Sequence, residues 1–307
     1  MKTELSFGNI KWIHLVDPKR EEINKLVEKY DFHELIEEDL IDFTTQEKID
    51  MYEWYLSMVL NFPKYDDQIR KYLHNEFSVI LWKDIIITMT KYETNHIKKI
   101  IEDYSQELKE READEDYKIS TYYILYRVID TLYDKAMNVL NKSSKDVMVL
   151  EEELFRKNRL EKKFLEDLMI KKRNIVSLKH MFMPHQDILQ DLQKMIYKIY
   201  QEELDVYFED LSYKHDKIMN NLAVSFENVE SLSETYNTLM NLKTNSVINV
   251  LTVFSVITWV LTLISGIYGM NINLPWQWDA KFFYALMMIM FVVCVALILF
   301  FRKKKRI

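Results

Sequence analysis

The sequence predicts an α+β membrane protein: an N-terminal α/β domain, a helical middle, a long stalk helix running into a first membrane span, and a second span near the C-terminus. Three observations predict it. Val247–Tyr268 and Phe282–Phe301 are runs of 22 and 20 residues without a charge. At 1.5 Å per residue each is about 30 Å long, enough for the hydrocarbon core of a bilayer. Short runs of strand character recur through residues 1–112. Only three Gly and four Pro occur in 307 residues, which favours long helices over tight turns.

Residues 1–112 read as the α/β domain. Ile10–Val16, Trp54–Asn61, Phe77–Trp82 and Ile85–Thr90 have strand character. The last two flank Lys83-Asp84, a short hairpin turn. Asp17-Pro18 followed by Glu21 and Glu22 reads as a helix start, with Asp17 as N-cap and Pro18 at the first helical position. Asn95–Arg111 reads as a further helix. Residues 113–201 read as a helical hairpin. Ile119, Tyr122, Tyr123, Tyr126, Ile129, Asp130 and Tyr133 follow i, i+3, i+4 spacing with an aromatic face. Lys142–Met183 reads as one charged helix that Pro184 breaks.

Residues 202–246 form the predicted stalk. No Pro or Gly interrupts it before Gly266, so it should continue into the first span at 247–268. Residues 269–281 connect to the second span at 282–301, and 302–307 form a basic tail. Basic residues beside a span stay on the cytoplasmic side. Arg302-Lys303-Lys304-Lys305-Arg306 therefore puts the C-terminus in the cytoplasm, and with two spans the N-terminal domain too, in the cell membrane. Met1–Asn9 lacks the basic start and apolar run of a signal peptide. Trp276 and Trp278, in the outer loop, suit either the membrane–water interface or packing within the loop.

Composition narrows the function. A net charge of −7 argues against nucleic-acid binding. The single Cys294 lies in an apolar run, excluding a disulfide framework and a Cys-based zinc site. Residues 1–265 hold one Gly and no phosphate-binding loop, the seven His form no HExxH, and no serine elbow appears. An enzyme is therefore not expected, and a membrane-anchored enzyme or receptor is a remote alternative.

The first span carries a row of polar residues: Asn249, Thr252, Ser255, Thr258, Thr262 and Ser265, with Asn245 just before it. Spacings of three and four keep them broadly on one side of a helix. Polar side chains facing lipid are unfavourable, so the row faces either a water-filled axis or another helix, where small polar residues act as glue. The second span has no such row. Two helices cannot enclose a pore, so a pore requires an oligomer. Further acids, Glu202, Glu203, Asp205, Glu209, Asp210 and Asp216, gather where the stalk begins, and spacing alone reads them as a solvated face.

Tyr268-Gly269-Met270-Asn271 stands at the outer end of the first of two C-terminal spans. With Thr244-Asn245, Val250-Leu251-Thr252 and Gly266-Ile267 before it, this segment resembles the CorA magnesium channels. The resemblance covers the layout of the whole chain, and residues 200–307 in detail. It implies a funnel-shaped homopentamer with first spans at the axis, gated by intracellular Mg2+, and passing Mg2+ with Co2+ or Ni2+ as further cargo. Gly269, Met270 and Asn271 become the selectivity filter. Asn245, Ile248, Leu251, Thr252, Ser255, Thr262 and Gly266 become pore-lining, with Ile248 and Leu251 as the inner apolar gate. The chemistry agrees: Mg2+ takes oxygen ligands and sheds water reluctantly, so amide and carbonyl oxygens should meet a hydrated ion.

The resemblance also gives the acids a role. Tyr207-Phe208-Glu209-Asp210 is similar to a family segment whose Asp binds a regulatory Mg2+ between subunits, and Asp66 in Tyr65-Asp66 matches its partner. Asp67 is an auxiliary candidate. Three departures stand out. The outer loop lacks the family's Met-Pro-Glu-Leu motif and keeps only Asp279 as an acid. Val260 stands where many members have Pro. Trp259 occupies a pore-facing position usually held by a smaller residue, as a constriction or turned away. A Zn2+ transporter of the ZntB-like branch is the alternative within the superfamily; Met270 favours magnesium.

Overall fold

The computed structural model describes residues 2–7, 9–42, 46–92, 97–103, 106, 120–157, 162–200, 205–271 and 280–303. The chain divides into two compact units, Met1–Ser231 and Leu232–Ile307.

The first unit is built on a six-stranded mixed sheet. In chain order its strands are β1 (Lys2–Phe7), β2 (Ile10–Val16), β3 (Lys48–Met51), β4 (Leu56–Asp66), β5 (Lys71–Leu81) and β6 (Ile85–Thr90), arranged β1-β2-β6-β5-β4-β3. Only β2 and β6 pair in parallel. Two short helices, α1 (Arg20–Tyr30) and α2 (Glu34–Asp42), separate β2 from β3. Alternate residues of the sheet, Ile13, Leu15, Ile80, Ile87 and Met89, pack with Ile23, Leu26 and Val27 of α1 and Ile36 and Leu40 of α2. The other face meets the long helices α3 (Thr121–Lys157), α4 (Lys162–Phe182) and α5 (His185–Tyr200). There Phe62 and Phe77 meet edge to face, and Phe62 also meets Tyr133, Phe182 and His185 at 5.5–6.3 Å. Burial on both faces explains why Leu56–Phe62 is continuously buried instead of alternating.

Several boundaries differ from the sequence reading, each for a physical reason. β2 and β6 have the expected bounds, and the turn between β5 and β6 closes with the Trp82 N–H on the Ile85 carbonyl at 2.7 Å. Asp17 is not an N-cap. Its N–H extends the β2–β6 pairing to the Thr90 carbonyl at 2.8 Å, and its φ of 46° turns the chain. α1 begins only at Arg20, where the Glu22 carboxylate accepts from the Lys19 N–H at 3.0 Å. β4 runs through Pro63 to Asp66. β3 pairs only with Leu56–Val59, so beyond that β4 is an edge strand, where a residue without N–H is tolerated. The charged helix expected over Lys142–Met183 is two helices, α3 ending at Lys157 and α4 starting at Lys162. They pack together, with Lys171 paired to Asp146. α4 ends next to Pro184, as expected. Of the helix expected over Asn95–Arg111, residues 97–103 and 106 are helical, and the remainder lies outside the described residues.

α6 (Asp205–Tyr268) is one helix of 64 residues that contributes to both units. The second unit otherwise holds α7 (Ala280–Lys303). Both carry windows long and apolar enough to cross a membrane, with mean hydropathies of 2.3 and 2.9. Residues of reduced exposure on α6 fall at Val253, Val256, Ile257, Val260, Leu261, Ile264 and Tyr268. On α7 they fall at Phe282, Leu286, Met290, Val293, Cys294, Leu297 and Phe301. Both sets have helical spacing, and the rings of Tyr268 and Phe282 meet at 5.4 Å, so these are the facing sides of a helical hairpin.

Candidate functional site

The α7-covered side of α6 fixes which side is left open. At about 100° of rotation per residue, Ile248, Leu251, Ser255, Thr262 and Gly266 lie on the side opposite Val253, Val260 and Ile264. All five are exposed. Thr252 lies at the margin of this open face, and Asn245 about one turn before it, also exposed. Trp259, 74% exposed, stands on the same side between Ser255 and Thr262; it is not turned toward α7.

The polar row is better satisfied than its composition suggests. The hydroxyl of Thr252 donates to the Ile248 carbonyl at 2.8 Å, Thr258 to Phe254 at 2.9 Å, Thr262 to Thr258 at 2.8 Å and Ser265 to Thr262 at 3.1 Å. These hydroxyls need neither an aqueous axis nor a partner helix. The open face is therefore defined by what α7 leaves uncovered, and polarity adds only that the hydroxyl oxygens keep acceptor capacity.

Two glycines frame the end of this face. A Cβ at Gly266 would meet nothing within 4 Å. A glycine inside a helix costs about 1 kcal/mol relative to alanine, and no contact among the described residues explains it here. Gly269 is different: its N–H donates to the Ser265 carbonyl at 2.8 Å, and a Cβ there would press on the same carbonyl at 3.2 Å. The Met270 N–H reaches the Ile267 carbonyl at 3.3 Å, a tightened last turn that brings Asn271, exposed, just beyond the helix end. Trp276, Trp278 and Asp279 lie outside the described residues, as do Lys304, Lys305 and Arg306 of the basic tail.

The acidic candidates sit in the first unit. Asp66 ends β4, and its Oδ1 accepts from the N–H groups of Gln68 at 2.9 Å and Ile69 at 3.3 Å, shaping the β4–β5 tip. Asp67 follows it, exposed, in the tip itself. The tip is fastened to α4. Arg70 pairs with Asp167 at 2.7 Å, and its carbonyl accepts from Arg173 at 2.9 Å and Asn174 at 3.0 Å. Asp210, on α6, accepts from the Tyr126 hydroxyl of α3 through Oδ2 at 3.0 Å. One turn later Lys214 binds Asp130, and Asp134 at 2.9 Å. Burial alone would lower the Lys214 pKa, but these two carboxylates hold it above its ordinary value. Glu209 and Asp216 are exposed on α6; Glu202 and Glu203 lie outside the described residues, as does the side chain of Asp205.

One chain does not bring Asp66 and Asp210 together. The tip lies where α4 meets Asp146 of α3, whose charge also raises the pKa of Tyr72 on β5 after the larger effect of burial. Asp210 lies against Tyr126, twenty residues earlier on α3, a separation of about 30 Å along the helix. Among the described residues no three His, Cys, Asp or Glu side chains converge as a metal site. The Tyr126 and Lys214 contacts were not foreseen from sequence, although the aromatic face of α3 included Tyr126.

The comparisons with known proteins bear on the fold and the family. The chain is 28% identical over 303 residues to the cobalt/magnesium transport protein CorA of Thermotoga maritima, covering 96% of this chain and 82% of that one. Its fold matches the complete structure of the CorA magnesium transporter from Methanocaldococcus jannaschii with a TM-score of 0.81 at 21% identity, covering 99% of this chain and 94% of that one. The ZntB cytoplasmic domain from Vibrio parahaemolyticus matches with a TM-score of 0.56 at 11% identity, covering 76% of this chain and 88% of the domain. The family model described as CorA-like Mg2+ transporter protein matches residues 7–303, and the chain belongs to that family of metal-ion transporters.

Proposed function

We propose that the chain is one protomer of a homopentameric channel that admits Mg2+, with Co2+ and Ni2+ as lesser cargo, through the cell membrane, both termini being cytoplasmic. The observation that carries this reading is the open face of α6, which α7 leaves uncovered from Ile248 to Gly266 and which ends at Gly269-Met270-Asn271. Copies arranged around an axis would line it with this face and put α7 toward lipid. Ile248 and Leu251, both about half exposed, form the apolar inner gate, and Thr252, Ser255, Thr262 and Gly266 line the middle. Asn245 lies just inside, before the span.

The ligand chemistry supports a hard ion. Residues 245–271 contain no His, Cys, Asp or Glu. Zn2+ sites draw on nitrogen and sulfur donors, whereas a ring of Asn271 amide oxygens with carbonyls near Gly269 and Met270 suits hydrated Mg2+. The membrane potential drives a divalent cation inward by about 4.6 kcal/mol per 100 mV, so an open pore needs feedback. Asp66 of one protomer and Asp210 of the next would supply it by sharing a regulatory Mg2+, with Asp67 as auxiliary. The separation of about 30 Å within one chain requires such a site to span two chains.

The test is ion flux into liposomes. Wild-type protein should admit Mg2+ in preference to Zn2+, and Asn271→Ala should abolish most Mg2+ entry while leaving the oligomer mass unchanged. Wild-type Mg2+ entry through an assembled Asn271→Ala protein would refute the filter, and Zn2+ preference in the wild type would favour the ZntB-like reading.

A further inference from the structure

We propose that Tyr126 is the positioning residue of the regulatory site: it holds one oxygen of Asp210 so that the other is presented to a divalent cation. The proposal rests on the reading of Asp210 as a ligand of regulatory Mg2+.

Three observations carry it. First, the Tyr126 hydroxyl donates to Asp210 Oδ2 at 3.0 Å, leaving Oδ1 outside that bond. Second, the phenol ring is clamped. It lies 4.9 Å from the ring of Tyr207, three residues before Asp210 on α6, and 6.0 Å from Tyr123, which itself meets Tyr207 at 5.7 Å. Ring contacts between α3 and α6 thus restrain the donor. Third, the neighbouring acids are already engaged. Lys214 occupies Asp130 and Asp134, so the α3 carboxylates beside Asp210 carry their own counter-ion and do not compete for a divalent ion.

A carboxylate with two rotatable bonds on an open helix face samples several orientations, and binding an ion must select one. A fixed hydroxyl makes that selection in advance. Hydrogen bonds to ligating carboxylates typically change metal affinity by about 10- to 100-fold. The cation class is a hard divalent ion held largely through its water, because a single carboxylate oxygen from each of two chains leaves most of an octahedral shell to solvent.

The experiment uses the full chain in mild detergent and reads the Mg2+ concentration that half-protects it from proteolysis. Tyr126→Phe keeps the ring and removes only the hydroxyl. It should raise the midpoint about tenfold while leaving the cleavage rate in EDTA and the thermal midpoint in EDTA as in wild type. Asp210→Asn should raise the midpoint at least as much, and Tyr126→Phe added to Asp210→Asn should shift it no further. A shift in Asp210→Asn without one in Tyr126→Phe overturns the positioning proposal and leaves the regulatory reading standing. An undiminished Tyr126→Phe shift in the Asp210→Asn background, or faster cleavage already in EDTA, also overturns it, because the tyrosine then acts through packing. No shift in Asp210→Asn overturns the regulatory reading itself, and the proposal with it.

Discussion

Replacing Gly266 by alanine separates the demands of one chain from those of the proposed pore. A Cβ at Gly266 meets no heavy atom of the described residues within 4 Å, so these accommodate the methyl without displacement. Helix propensity then favours alanine by about 1 kcal/mol, and stability in detergent should be unchanged or slightly raised. Conduction should respond in the opposite direction. If Gly266 faces the axis of a pentamer, five methyl groups enter one ring, each advancing the wall by about 1.5 Å, the length of a carbon–carbon bond. The opening then loses about 3 Å across. A Mg2+ ion with its first water shell is about 7 Å wide, taking metal–oxygen distances of about 2.1 Å and a water radius of about 1.4 Å. Because Mg2+ gives up that water reluctantly, the narrowing should cut Mg2+ entry about tenfold or more. The assay is a Mg2+-sensitive dye trapped in liposomes, alongside a thermal unfolding curve. Wild-type flux through Gly266→Ala refutes the placement of this face at the axis. Gly269→Ala is a poorer probe: its Cβ would stand 3.2 Å from the Ser265 carbonyl, so lost flux there mixes local distortion with obstruction.

The remaining predictions concern the first unit and its response to acid. His185 is fully buried beside Tyr133 and Phe182, and burial pushes its pKa down to about 3; His14, hydrogen-bonded to Thr88 at 2.9 Å, is pushed by burial to about 4. Both folded values lie below the ordinary 6.5, so the unfolded chain binds more protons, and stability is lost as pH falls below about 6.5. Between pH 7 and pH 5 each histidine costs about 2 kcal/mol, a figure set by the unfolded value because the folded groups stay neutral throughout. Glu76, raised by burial to about 7, opposes them: its stabilisation grows by about 2 kcal/mol as pH falls over the same interval. Replacing His185 by phenylalanine should therefore remove about 2 kcal/mol from the loss between pH 7 and pH 5, whatever its effect on absolute stability. Denaturant unfolding at both pH values checks this, and an unchanged pH difference refutes the buried neutral state of His185.

What the sequence made legible follows the strength of each local signal. β2 and β6 are dense in β-branched and aromatic residues and were read to their ends. β1 shows little signal because Lys2, Thr3, Glu4 and Ser6 leave only Leu5 and Phe7 apolar, and β3 because four residues, Lys48–Met51, carry little pattern. Residues 158–161, between α3 and α4, include neither Pro nor Gly, so nothing local announces two helices instead of one. In the candidate site, Gly269-Met270-Asn271 was visible because its residues are contiguous. The open face of α6 was only half visible: the row of hydroxyls suggested it, but those hydroxyls bond to their own helix, and the decisive fact is which side α7 covers. Tyr126 and Asp210 stand 84 residues apart, and no spacing rule relates them.

In the proposed channel, ions pass along the α6 face that α7 leaves open. The decisive experiment places single cysteines at Ser255 and at Met288 in a Cys294→Ser background and adds a charged, water-soluble thiol reagent to protein admitting Mg2+ into liposomes. Ser255 lies on the open face of α6, and Met288 is 70% exposed on α7. The reagent should block Mg2+ entry through the Ser255→Cys protein and leave the Met288→Cys protein conducting. Block at Met288→Cys with unaffected flux at Ser255→Cys would contradict it and place the second span at the axis.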